Sequence, residues 1–244
     1  IFSSRRRQML RLRSEVLARR PDAARFLADD AADDVIERLS FLRHQPSTAL
    51  LSGLPAPELA RYLQGKDCVV TEAGLSRFDP ESPIQGGGFD LIVSLFMLES
   101  TNDLPGALIH MRKALNPGGL ALAIMTGAGS LPVLREVMLA ADGDRPAPRI
   151  HPQVDVRAGG QLLQRTGFAD PVIDSHAVTV RYRSLRRLVD DLRTQGLGNV
   201  LADPGPALTR TALARAEAAF TARKDDEGRV TETFEVLTLS GWRR

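Results

Sequence analysis

A single cysteine stands among the 244 residues, so no intrachain disulfide can form and no CxxC metal or redox motif exists. That residue, Cys68, lies in the apolar run CVVT, where a small buried hydrophobe suits the setting better than a reactive thiol. No apolar run approaches the roughly 20 residues that a membrane-spanning helix requires, and no membrane insertion is expected. His44, His110 and His176 have neither an i, i+4 partner nor a nearby cysteine, so no metal site is expected. Charge of one sign is also missing. There are 32 Lys and Arg against 30 Asp and Glu, a formal net charge of +2 at a sequence pI near 9.0, which permits arginine-rich patches without implying a nucleic-acid partner. Neither an internal repeat nor a low-complexity segment is present.

What is there suits one α/β domain. A chain of this length with 43% hydrophobic residues can bury a sizeable core, and we read 1–244 as a single unit: N-terminal helices in 1–46, a core sheet in 47–182, cap helices in 183–228 and a last strand in 229–244. The opening RRRQMLRLRSEVLARR has no acid before Glu15. It suits either an amphipathic organelle-import presequence or the solvated face of a helix. Balanced charge and helical spacing (Val35, Leu39, Leu42) in the stretch that follows favour the helix, and the expected compartment is the cytoplasm.

From Ser47 onward, apolar runs alternate with helical ones, the pattern of a mainly parallel, doubly wound sheet covered on both faces. TALLSG, DCVVTEA, GGGFDLIVSLFML and LALAIMT are the expected strands. PELARYL reads as a helix whose proline falls in the first turn, where the missing N–H has no intrahelical partner anyway. LPGALIHMRKAL sets Leu104, Leu108, Met111 and Leu115 on one stripe, broken by NPGG. SLPVLREVMLAAD is expected to be a helix capped by Ser130, and VDVRAGGQLLQRTGF one that stops near Gly167. PVIDSHAVTVRY and RVTETFEVLTLSGW alternate with period two, as antiparallel edge strands do. Two helical runs lie between them, SLRRLVDDLRTQG and PALTRTALARAEAAFTAR.

The run FDLIVSLFMLESTNDLPGALIHMRKALNPGGLALAIM resembles the second half of a class I S-adenosylmethionine-dependent methyltransferase. Around it, IFSSRRRQMLRLR, GSLPVLRE, HPQVDVRAGGQLLQRTGFADP, VTVRYRSLRRLVDDLRTQG and ETFEVLTLSGW resemble the branch holding the biotin-pathway malonyl-carrier-protein methyltransferase and the methyltransferase-like complex I assembly factor. The resemblance implies a Rossmann-like sheet with a C-terminal antiparallel hairpin and a helical cap. It also implies S-adenosylmethionine as cofactor, seated on a G-x-G-x-G turn that follows a strand ending in an acid.

Laid on the opening strand and helix, STALLSGLPAPELARYL, the acid falls on Leu51 and the three glycines on Gly53, Pro55 and Pro57. Proline removes a donor and adds a ring, so this reads as an inherited cofactor turn that has been rebuilt. The resemblance places the ribose-holding acid at Glu72, which an exposed glutamate near the end of a strand explains equally. It places an adenine-side acid at Asp79, which a turn aspartate before proline explains as well. The stretch from Ala73 to Gly88 is too short for the helix and strand that the family inserts there. The family's His-Trp pair before NDLP is replaced by Glu99 and Ser100. Glu99 could act as a base in a dry site, whereas Asp103 reads as a helix cap. His151 falls where the assembly-factor branch also has a histidine, facing either the substrate mouth or nothing. Arg135, in the first turns of its helix, points toward an acid or a surface ion pair. Tyr182 and Trp242 read as packing residues.

Three functions follow: an active methyltransferase acting on a small acid, a carrier-bound acyl group or a protein side chain; a pseudoenzyme binding module; or, through the assembly factor's link with arginine hydroxylation, an enzyme of another class on this fold. No two-His-one-carboxylate pattern supports the last. The expected partner is a small acidic substrate or a protein. The cap arginines Arg183, Arg186, Arg187 and Arg193 either form a basic rim that would serve such a partner or are solvated and paired with Asp190 and Asp191.

Overall fold

The computed structural model describes all residues, 1–244. Six strands form one sheet in the order β2-β1-β3-β4-β6-β5, with β1 Thr48–Gly53, β2 Val69–Gly74, β3 Phe89–Leu95, β4 Leu115–Thr126, β5 Ala169–Tyr182 and β6 Val230–Trp242. β1 pairs in parallel with β2 and with β3, and β3 in parallel with β4. The strand order reverses between β1 and β3, which makes their carboxyl ends the switch point of a doubly wound sheet. β6 runs antiparallel to β4: at one end Gly118 N–H donates to the Arg243 carbonyl, and at the other Gly127 N–H donates to the Glu235 carbonyl. β5 and β6 are neighbours at the sheet's end, as the alternation of their sequences predicts.

Eight helices accompany the sheet: α1 Ser4–Leu17, α2 Phe26–Leu42, α3 Pro57–Gln64, α4 Leu104–Ala114, α5 Pro132–Asp142, α6 Val156–Arg165, α7 Leu185–Thr194 and α8 Arg210–Thr221. The order matches the alternation read from the sequence. β4 begins at Leu115 rather than at Leu120, because NPGG continues the strand after α4 has ended.

The chain divides into two compact units. The first gathers Arg25–Thr126, Val154–Ser175 and Leu237–Arg244. It holds the parallel strands, and its core includes Leu50, Ile92, Leu108, Met111, Leu115, Leu163, Phe168 and Leu237. Ala49, Leu51, Leu91, Val93, Leu95, Leu122 and Ile124, which alternate with these along the strands, are buried too. That burial on both faces is why the strands read as unbroken apolar runs. Each such Leu, Ile or Val contributes about 1.5–3 kcal/mol. Residues 75–88 contain neither helix nor strand, as their length requires. β2 is therefore an edge strand, with Val69 69% exposed.

The second unit gathers Ile1–Ala24, Gly127–Gln153 and His176–Val236. In it α1 packs on α7 and α5 on α8. The expected cap at Ser130 is not formed. The N-cap position of α5 is Leu131, in the left-handed region at φ 61°, and the Ser130 hydroxyl donates to the Glu235 carbonyl instead. The helix is capped from a distance by Glu232 of β6, whose carboxylate accepts from Val133 N–H (3.2 Å) and Leu134 N–H (2.7 Å). Burial raises the Glu232 carboxyl above the usual range, although three backbone N–H groups oppose that rise.

Candidate functional site

The turn after β1 sits at the switch point. Gly53 has φ +106°, and a Cβ placed there would collide with the Leu95 carbonyl of β3, so only glycine lets the two strands end this close. That carbonyl also accepts from Leu54 N–H (2.9 Å). Pro55 and Pro57 have no N–H, Pro57 being the first residue of α3. Between Leu54 and Pro57, only Ala56 keeps an N–H not given to another backbone group. The Leu54 and Ala56 side chains are buried, which fills the turn with hydrocarbon. Leu51, in the acidic position of the family pattern, is buried inside the sheet opposite Glu72 of β2.

Glu72 is exposed on the edge strand. Asp79 is also exposed and closes an Asx turn, its carboxylate accepting from Glu81 N–H (3.2 Å) and the Ser82 hydroxyl (3.3 Å). Glu81, to which the sequence reading gives no role, anchors this loop by accepting from Asn102 N–H at 2.8 Å. Glu99, half-buried in the short 3-10 turn Leu98–Ser100 that follows β3, accepts from the N–H of Thr126, the last residue of β4, at 3.2 Å. Asp103 caps α4 through Gly106 N–H (2.9 Å), as expected. Gly53, Glu72, Asp79 and Glu99 thus belong to one unit, on the segments that follow or end β1, β2 and β3.

Arg135 and His151 belong to the other unit. The Arg135 guanidinium donates to the side-chain carbonyl of Gln153 (3.2 Å), a neutral partner where an acid or a surface ion pair was expected. His151 Nε2 accepts from Val200 N–H (2.8 Å), and its ring meets Phe2 edge-on at 5.0 Å. Burial pushes the imidazole down to about 4, which keeps it neutral. Of the cap arginines, Arg187 pairs with Asp191 (2.9 Å) and Asp22 (3.3 Å), while Arg183, Arg186 and Arg193 are exposed. In the same unit, the loop after β4 folds around Glu235, whose carboxylate accepts from Gly129 N–H at 2.6 Å. No group of three or more His, Cys, Asp or Glu side chains is placed to hold a metal ion.

The model of the methyltransferase domain matches residues 5–171. The chain belongs to the methyltransferase domain family. Among relatives of this methyltransferase-family chain, the mouse arginine-hydroxylase NDUFAF5, mitochondrial, is 31% identical over 165 residues, 66% of this chain and 48% of that protein. The Danio rerio protein of the same name is 29% identical over 225 residues, covering 89% and 65%. The malonyl-[acyl-carrier protein] O-methyltransferase of Halorhodospira halophila is 28% identical over 269 residues, covering 97% and 88%. The chain thus spans about half to two thirds of the length of these NDUFAF5 relatives.

Solved structures agree on the fold. A Bacillus halodurans protein provisionally termed a methyltransferase superposes with a TM-score of 0.53 at 11% identity, covering 85% of this chain and 98% of its own. The [4+2]-cyclase SpnF superposes at 0.50 with 17% identity, covering 91% and 84%. A fold shared with a cyclase does not dictate the reaction.

Proposed function

We propose that this methyltransferase-family chain works chiefly as a binding module whose S-adenosylmethionine site is weak or lost. The observation that carries the reading is the β1–α3 turn. Leu54 N–H is committed to Leu95, two prolines offer no donor, and the Leu54 and Ala56 side chains are buried where a glycine turn would leave room for a ligand. Each donor contact forgone is worth about 1 kcal/mol. The acid before the turn is a buried leucine, and the adenine side lacks its helix and strand. Glu72 is the one polar group left in a family position that could hold a ribose, and Gly53 and Asp79 have the local structural duties described above. A protein partner suits this reading, because the relatives carry names that involve an acyl-carrier protein or, for NDUFAF5, a protein-directed activity. No helix is long and apolar enough to cross a membrane, and we place the chain's work in the cytoplasm.

The second reading, an active methyltransferase acting on a small acid, a carrier-bound acyl group or a protein side chain, draws on the malonyl-[acyl-carrier protein] O-methyltransferase likeness along most of both chains. Glu99 would then be the base to test. Thermal melting in the presence of S-adenosylmethionine or S-adenosylhomocysteine separates the two readings. At a ligand concentration equal to a Kd of about 1 mM, the expected stabilisation is only about 0.4 kcal/mol. A shift of several degrees at that concentration would restore the enzyme. Glu72→Ala should then weaken binding by roughly 1–3 kcal/mol through lost charge-assisted ribose contacts.

A further inference from the structure

Helix α1 buries arginine and exposes hydrocarbon. Its buried side holds Arg7 (6% exposed), Arg11 (7%), Ser14 (1%) and Leu17 (8%), while Met9 (62%), Leu12 (45%) and Val16 (63%) face solvent. A surface helix ordinarily does the reverse. The inner side is committed, because α1 packs on α7. The outer residues recur at i, i+3 and i+7, so they form one continuous stripe. Arg6 and Arg13 run along one side of it, Arg5 stands at its head, and Arg19 and Arg20 lie in the turn beyond Leu17. All five arginines are exposed. Arg20 meets Asp190 at 3.6 Å, while Arg5, Arg6, Arg13 and Arg19 have no acid within the chain to answer them. The segment 1–20 holds seven arginines and one acid, Glu15.

We infer that the outer face of α1 is a docking surface for an acidic amphipathic helix of a partner protein. The stripe supplies the apolar seam that such a helix packs against at matching i, i+3, i+7 spacing. The unanswered guanidiniums supply planar, bidentate donors for Asp or Glu flanking that seam, and a thioether at Met9 tolerates imperfect shape. A lipid surface is a poorer match. Helices that lie in membranes present broad apolar faces with Trp or Phe anchors, and this stripe is three aliphatic side chains without an aromatic. The inference is independent of whether the cofactor turn binds anything.

The test is fluorescence anisotropy on the full chain. The probe is a labelled synthetic helical peptide with leucines at i, i+3 and i+7 and glutamates beside them, and the control is a scrambled peptide of the same composition. Wild type should bind the patterned peptide and release it at high salt. Met9→Asp with Val16→Asp should weaken binding by at least about tenfold with unchanged melting, since both residues are exposed. Arg6→Glu with Arg13→Glu should reverse the preference toward a peptide carrying lysines in place of the glutamates, a gain that no folding defect could produce. Absence of wild-type binding, equal binding of the scrambled peptide, or a charge-reversed variant that behaves like wild type would overturn the proposal. So would loss of peptide binding to a self-associated chain in sedimentation, or tighter capture by phosphatidylglycerol vesicles than by the peptide; these would assign the face to a second copy or to a membrane surface.

Discussion

At the scale of single residues, tertiary neighbours decide what a side chain does. The spacing after β1 marks Gly53 as a surviving cofactor-loop glycine, yet the Leu95 carbonyl occupies the space its Cβ would need, a constraint no local pattern carries. Gly53→Ala should therefore cost about 2 kcal/mol or more in urea unfolding, whether or not a cofactor binds. His151 shows the same limit. Its neighbours Phe2 and Val200 are far away in sequence, so no local pattern shows that this loop histidine is a half-buried acceptor. Its pKa falls from 6.5 to about 4 on folding. Between those values the unfolded chain binds the proton and the folded chain does not. Stability should accordingly be lost as pH falls from about 6.5 toward 4, by on the order of 3 kcal/mol. His151→Gln, which keeps an acceptor for Val200 N–H, should flatten that part of the pH profile of chemical denaturation.

At the scale of elements, much of the structure was legible. Strands buried on both faces produce the long apolar runs of β1, β3 and β4, and helices announce themselves by stripes and by a cap such as Asp103. What escaped was long-range capping and facing. Ser130 stands where a cap should, but the cap of α5 comes from Glu232, about a hundred positions downstream. Glu232→Ala should destabilise by about 2 kcal/mol through two orphaned first-turn N–H groups, and Glu232→Gln by less, as measured by thermal melting. The arginines of α1 show no preference of face in sequence, which is why a helix with a solvated basic face was expected and a helix with buried arginines was found. The edge position of β2 is testable as well. Val69 N–H donates to the Ser47 carbonyl, so the backbone groups of Val69 and Thr71 turn toward β1 while those of Val70 turn outward. Proline at Val70 removes no ladder bond and should be tolerated better than proline at Thr71, a difference readable in denaturation midpoints.

At the scale of the whole molecule, fold and family were readable because order, spacing and apolar runs survive sequence divergence. The shortness of the stretch between Glu72 and Phe89 likewise foretold the missing helix and strand. The two-unit division and the backbone collision behind Gly53 were not readable, since each depends on contacts between distant segments. The central claim is that this family member retains the methyltransferase fold with a rebuilt cofactor turn. Calorimetric titration of the purified chain with S-adenosylhomocysteine tests it most directly. The prediction is no saturable heat below about 1 mM, where binding energy is only about 4 kcal/mol. A saturable isotherm with a micromolar Kd, weakened by Glu72→Ala, would contradict it.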